Sequence, residues 1–75
     1  MRTSEFRLAV AAEFGDQYGR ALLRDLVLDG LGGRTADQAL AAGVPERLVW
    51  AALCEAMDVP VERRHGVGLP APRQH

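Results

Sequence analysis

The 75-residue chain contains no lysine, isoleucine or asparagine, only one cysteine and only four aromatic residues. With Cys54 alone no intramolecular disulfide can form, which excludes the disulfide-stapled class of small secreted proteins and fits a reducing compartment. Glu5 and Glu13 interrupt the apolar stretch near the N-terminus, which is therefore typical of neither a signal peptide nor a membrane span. We expect a cytoplasmic protein that does not enter a membrane.

Residues that carry covalent or metal chemistry are scarce. The chain has one serine, and its two histidines, His65 and His75, fall near the C-terminus, so no nucleophile can be paired with a rigidly held base. Cys54 and the histidines lack the spacing of a zinc site, and we predict that Cys54 is a buried, inert thiol. We expect no catalytic residue, no metal site and no cofactor, and therefore a protein that is not an enzyme.

Charge is distributed unevenly along the chain. Arginine supplies all nine basic residues, which fits either a phosphate-binding set or the codon usage of a GC-rich genome. Residues 1 to 62 hold six arginines and ten acidic residues, a net charge of −4, whereas residues 63 to 75 hold three arginines and no acid. The end of the chain is also rich in glycine and proline. We therefore predict a helical domain over residues 1 to 62 and a disordered basic tail over residues 63 to 75.

Hydrophobic periodicity predicts two helices in the first half of the chain. Thr3 or Ser4 can cap a helix over residues 5 to 14, and Asp16 can cap a second helix that runs to about residue 29. Their predicted buried stripes are Phe6, Val10 and Phe14 in the first helix, and Tyr18, Leu22 and Leu26 in the second. The three glycines of residues 30 to 33 then make helix continuation costly and predict a turn.

Two further helices are predicted in the second half. Thr35 and Gln38 have the spacing of a capping box, which indicates a short helix over residues 35 to 42 that Gly43 ends. Pro45 suits the first turn of a fourth helix, because its missing N–H would have no intrahelical partner there. The broad apolar face of that helix comprises Leu48, Val49, Ala52, Leu53, Ala56 and Met57. The fold class that follows is all-α, a compact four-helix domain.

Residues 35 to 54 resemble the DNA-binding helix-turn-helix pattern. Ala39 is small where two helices must approach, Gly43 can take the positive φ of the turn, and Val44 and Val49 fill the angle between the helices. The C-terminal half is therefore predicted to be helix-turn-helix-like. Geometry of this kind also suits a purely structural helical corner.

Base readout requires more than this geometry. A reading helix offers hydrogen-bonding side chains near its N-terminus, with basic residues beside them for phosphates. The exposed candidates here are Pro45, Glu46, Arg47, Ala51 and Glu55. Arg47 is the one good reader among them, and residues 35 to 57 carry one arginine against three acids. Because phosphate neutralisation supplies most non-specific affinity, this charge disfavours nucleic acid.

Trp50 has two interpretations. It lies on the fourth helix either at the flank of the core or in an exposed apolar strip that could anchor a partner. We predict burial, beside residues of the second helix, because one indole is a large share of the aromatic material of so small a core.

The sequence also resembles a family of small uncharacterised actinobacterial proteins, often encoded beside the RecA regulator RecX. The segments that carry the resemblance are Ser4-Glu5-Phe6, Glu13-Phe14-Gly15 with Tyr18, Arg24-Asp25, residues 32 to 40, and residues 50 to 60. The family has no settled activity. The gene neighbourhood implied by the resemblance suggests a link to recombination or DNA repair.

These patterns lead to two hypotheses of function. The first is a non-enzymatic interaction module that binds a protein partner through its third and fourth helices, near Arg34, Arg47 and Trp50. The alternative is direct DNA binding, in which Arg47 reads a base while Arg63 and Arg64 contact phosphates.

Overall fold

The structure, a computed structural model, describes residues 1–64. Its four α-helices are α1 (Thr3–Phe14), α2 (Asp16–Asp25), α3 (Ala36–Ala41) and α4 (Glu46–Ala56). Two short strands, β1 (Val27–Leu28) and β2 (Arg34–Thr35), and two 3₁₀ turns, Asp29–Leu31 and Val61–Arg63, complete the described part of the chain. The prediction of a compact, mostly helical domain with four helices is confirmed, and the small two-stranded hairpin is a feature that the all-α prediction did not include.

The hairpin replaces the last turn of the predicted second helix. α2 ends at Asp25, and Leu26 has an extended backbone (φ −79°, ψ 117°). Val27 then pairs with Thr35, and Leu28 pairs with Arg34, in an antiparallel register. The turn between the strands ends with Gly32 and Gly33, whose positive φ angles of 72° and 81° are conformations that favour glycine. The predicted glycine turn is therefore confirmed, but it closes a hairpin rather than separating two helices.

The helix ends follow local chemistry. Thr35 Oγ1 accepts from the Gln38 N–H at 3.1 Å, and the Gln38 side chain accepts from the Thr35 N–H at 3.0 Å, so the predicted capping box is confirmed. At α1 the prediction of a Thr3 or Ser4 cap is wrong, because the helix already includes both residues. There the Glu5 carboxylate accepts the Arg2 N–H at 2.7 Å instead.

One hydrophobic core joins all four helices and β1. Its buried side chains are Phe6, Ala9, Val10, Leu22, Leu23, Leu28, Ala36, Ala39, Val49, Trp50, Leu53, Cys54 and Val59. Tyr18 was predicted to belong to the buried stripe of α2, yet its side chain is 55% exposed. Gly19 is buried in its place, because α2 crosses α1 so closely that a Cβ on Gly19 would lie 2.7 Å from Val10 Cγ1.

The folded part extends beyond the predicted boundary at residue 62. The backbone leaves α4 through Asp58, whose φ of 58° lets the Val59 N–H reach the Cys54 carbonyl at 2.9 Å. Arg63 and Arg64, assigned to the tail from the sequence, are held by hydrogen bonds to the rest of the domain. The remainder of the predicted tail, residues 65 to 75, lies outside the described residues.

Candidate functional site

The outer face of α4 combines apolar and charged side chains at an exposed surface. Val49, Trp50, Leu53 and Cys54 turn one side of this helix into the core. The opposite side presents Arg47, Leu48, Ala51 and Glu55 to solvent, with Ala52 half-buried beside them. We call these five residues the α4 outer face. The prediction that Leu48 faces the core is wrong, because its side chain is 45% exposed.

A shallow groove runs between this face and the turn that links the two strands. The groove is lined by Gly30, Leu31, Val44, Leu48, Ala51, Ala52 and Glu55. A second concavity shares Gly30, Ala52 and Glu55 with it and continues the surface toward Val27, Asp29 and Ala56. The floor is made of small residues because the turn approaches α4 closely: a Cβ on Gly30 would lie 3.4 Å from Ala52 Cβ.

The rim of this groove carries negative charge. Among residues 1–64, Asp29 and Glu55 are the charged residues that line the two concavities, and no arginine of this part of the chain lines either of them. Glu55 contacts Arg64 Nη1 at 3.3 Å, but the Glu55 side chain remains 79% exposed and free to pair further. A partner that fills this groove should therefore bring apolar side chains together with a cation.

Arg34 and Arg47 are both exposed, on β2 and on the first turn of α4 respectively. Within residues 1–64 neither guanidinium forms an ion pair or a side-chain hydrogen bond. Both side chains are therefore available to a partner. The sequence predicted them as contact residues, and that role stays a prediction.

Trp50 does not belong to this surface. Its side chain is 5% exposed, and its ring packs edge-on against Phe6 at 6.4 Å and Phe14 at 6.5 Å between centroids. The indole N–H donates to the Arg64 carbonyl. The predicted burial is confirmed, although the rings around Trp50 come from α1 rather than α2. Because the indole is inside, the proposed partner surface has Leu48 rather than Trp50 as its large apolar side chain.

Arg63 and Arg64, the predicted phosphate contacts, are engaged within the domain. Arg63 Nη2 pairs with Glu13 at 2.9 Å, and this contact raises the pKa of the guanidinium. Arg64 Nε donates to the Val59 carbonyl at 2.7 Å. Phosphate contacts by these two residues would therefore compete with contacts that hold the 3₁₀ turn Val61–Arg63 against the domain.

Cys54 is fully buried, and burial raises the pKa of its thiol from 9.0 to about 11. A thiol pKa raised on folding stabilises the native state below pH 9 and ceases to do so as pH rises through 11. We expect the free energy of unfolding to fall between pH 9 and pH 11, and to fall less in Cys54→Ala. Urea denaturation at pH 8 and pH 10.5 measures this, and equal pH dependence in both proteins would contradict it.

Within residues 1–64, no group of three metal-ligating side chains comes together, and no helix is long and apolar enough to span a membrane. The geometry thus defines a small, mostly helical domain with an exposed apolar groove. Comparison of sequences gives its family. Residues 1–62 match the family described as protein of unknown function (DUF3046), and the chain belongs to that family. No curated protein and no solved structure matches the chain.

Proposed function

We propose that this protein is a non-enzymatic interaction module that docks another protein on the α4 outer face and the adjoining groove. The observation that carries the proposal is a continuous apolar surface at Leu48, Ala51 and Ala52 with a carboxylate rim. Apolar grooves bordered by polar residues are typical of protein interaction sites. The occupant we propose is a protein segment that places an apolar side chain beside a basic one.

The arrangement of α3 and α4 holds the α4 outer face toward solvent, which supports its proposed role as a docking surface. A turn of four residues, 42 to 45, joins the two helices, and Val49 packs in the core while the opposite side of α4 faces outward. We propose that the resemblance to a helix-turn-helix reflects a structural corner that fixes α4 in this position. A link to recombination or DNA repair, in the cytoplasm, is part of this hypothesis.

The rival hypothesis is direct DNA binding with α4 in the major groove. It requires Arg47 to read a base, while Leu48, Ala51 and Glu55 would face the same groove. A carboxylate and apolar side chains on this surface favour a protein partner over a phosphate backbone. Titration of duplex DNA at low salt separates the two hypotheses: we expect no saturable binding, and affinity that falls steeply with added salt would favour DNA.

Photocrosslinking tests the proposed docking surface. A photoreactive phenylalanine analogue at position 48 should form adducts with protein in the cells that normally make this chain. The same analogue at position 8 is the control, because Leu8 on α1 is at least as exposed as Leu48 (56% against 45%) but does not line the groove. Protein adducts from position 48 that exceed those from position 8 are expected, and an added Ala51→Arg substitution should remove them.

The opposite outcome would contradict the proposal. Equal yields of protein adducts at positions 48 and 8, or adducts to nucleic acid at position 48, would show that the α4 outer face does not dock protein. Circular dichroism of the Ala51→Arg chain provides the folding control, since Ala51 is exposed and its replacement should leave the helix content unchanged.

A further inference from the structure

The two ends of the α4 outer face carry opposite charges. Arg47, Ala51 and Glu55 follow one another at four-residue spacing, so they lie along one side of the helix. Arg47 and Glu55 are eight residues apart, which separates their Cα atoms by about 12 Å. They are too far apart to pair within one chain. Arg47 forms no ion pair within residues 1–64. Glu55 contacts Arg64 Nη1 at 3.3 Å, but its side chain is 79% exposed, so both residues can still face an opposite charge on a partner.

We propose that the occupant of this surface is a second copy of the chain, bound through α4 in an antiparallel arrangement about a two-fold axis. The two-fold rotation reverses the direction of the helix, so Arg47 of each copy lies opposite Glu55 of the other. Two equivalent ion pairs then flank a central contact at Ala51. This inference rests on the proposed function, because it names the partner of the same docking surface.

The apolar side chains fit the same arrangement. The groove is complementary to an apolar side chain next to a cation. α4 itself carries such a pair, because Leu48 directly follows Arg47. Leu48 of one copy can enter the groove of the other, where Ala51 and Ala52 allow the two helices to approach closely. The surface is thus complementary to itself in both shape and charge.

A second exposed pair of the same kind exists at Arg7 and Leu8 on α1. If that pair entered the groove of another copy, the contact would join two different surfaces. The groove of the first chain and the Arg7–Leu8 pair of the second would then remain unoccupied. Such association would continue into larger oligomers, whereas the α4 contact closes at two copies. The size of the assembly and the response to Arg7→Glu therefore separate the two arrangements.

The proposed contact is small. α4 has 11 residues and a length of about 16 Å, so the interface falls in the size class of weak associations. We expect a dissociation constant on the order of 100 μM, with rapid exchange between monomer and dimer.

Sedimentation velocity of the full chain from about 10 μM to 1 mM tests the proposal. The expected result is a reversible shift of the mass from the 8.1 kDa monomer toward twice that value. Arg47→Glu or Glu55→Arg alone should weaken association at least about tenfold, because each places like charges opposite one another. Both substitutions are compatible with the dipole of α4, which favours acids at its start and bases at its end, so the variants should fold.

A mixture of the two single variants is the decisive sample. In a mixed dimer the copy with Arg47→Glu meets the copy with Glu55→Arg, and both contacts join opposite charges again. Association should therefore return in the mixture to near the wild-type level, although each variant alone associates at least about tenfold more weakly. Arg7→Glu and Asp37→Arg are the matched controls, because they make the same charge changes at exposed residues outside the groove.

Three outcomes would overturn the inference: a wild-type chain that stays at 8.1 kDa up to about 1 mM, single variants that associate like wild type, or a mixture that stays monomeric. None of them decides the proposed function. A monomeric chain that still crosslinks to another protein from position 48 would exclude the second copy and retain the docking surface. Absence of protein adducts would exclude the docking surface itself.

Discussion

Replacing Trp50 with alanine should remove a large share of the protein's free energy of unfolding. The indole is 5% exposed and contacts the rings of Phe6 and Phe14, so its removal empties the centre of the core. Truncations of this kind cost about 3 to 5 kcal/mol. A domain of this size has a total stability of only about 3 to 10 kcal/mol. Urea denaturation followed by circular dichroism at 222 nm measures the loss.

Trp50→Phe is the matched control for this prediction. It keeps a ring beside Phe6 and Phe14 but removes the N–H that donates to the Arg64 carbonyl. We expect a smaller loss, about 1 to 3 kcal/mol, because one partly buried acceptor loses its partner and the ring is smaller. A Trp50→Ala chain whose free energy of unfolding stays within about 0.5 kcal/mol of wild type would show that the indole is not part of the core.

The second large effect is expected at Gly19. α2 crosses α1 here, and even the first carbon of a side chain would lie 2.7 Å from Val10 Cγ1. Gly19→Leu should force the two helices apart and lower the free energy of unfolding by about 3 kcal/mol. Leucine favours the helix over glycine by about 1 kcal/mol, but the destabilisation by the steric clash should exceed this gain. Urea denaturation gives the value directly.

Gln17→Leu provides the comparison for Gly19→Leu. It introduces the same side chain into the same helix at an exposed position, where we expect a change within about 0.5 kcal/mol. If Gly19→Leu were no more destabilising than Gln17→Leu, the close crossing of α1 and α2 would be wrong.

Local signals in the sequence were sufficient for most of the helices. The capping box of Thr35 and Gln38 marks the start of α3, and Pro45 marks the start of α4, because each satisfies or removes backbone N–H groups within four residues. Gly32 and Gly33 mark the turn because glycine, which has no Cβ, adopts the positive φ angles found there more readily than other residues. Interactions of this range can be predicted from spacing alone.

The hairpin could not be predicted in this way. Leu26 and Val27 continue the helical pattern of α2, and neither glycine nor proline stands between Asp25 and Leu28. The helix ends there because Val27 and Leu28 pair with residues eight and six positions ahead, and two-residue strands leave no periodic signal. Tertiary pairing overrides the local preference at this point.

The candidate site was predicted only in part. The exposure of Arg47 follows from the helical pattern, but Leu48 was assigned to the core because the sequence does not fix how wide the buried side of α4 is. Trp50 belongs to the buried side of α4, whereas Leu48 lies just beyond its edge. The contacts of Arg63 and Arg64 join residues up to 50 positions apart, and a composition rich in glycine and proline nearby gave no sign of them.

The most direct measurement of the central claim, that the α4 outer face docks protein, is the ratio of protein adducts from photocrosslinkers at positions 48 and 8 inside cells. We expect more protein adducts at position 48 than at position 8, a ratio well above one, and we expect Ala51→Arg to return this ratio to one. A ratio of one without that substitution, or nucleic acid as the adduct from position 48, would contradict it.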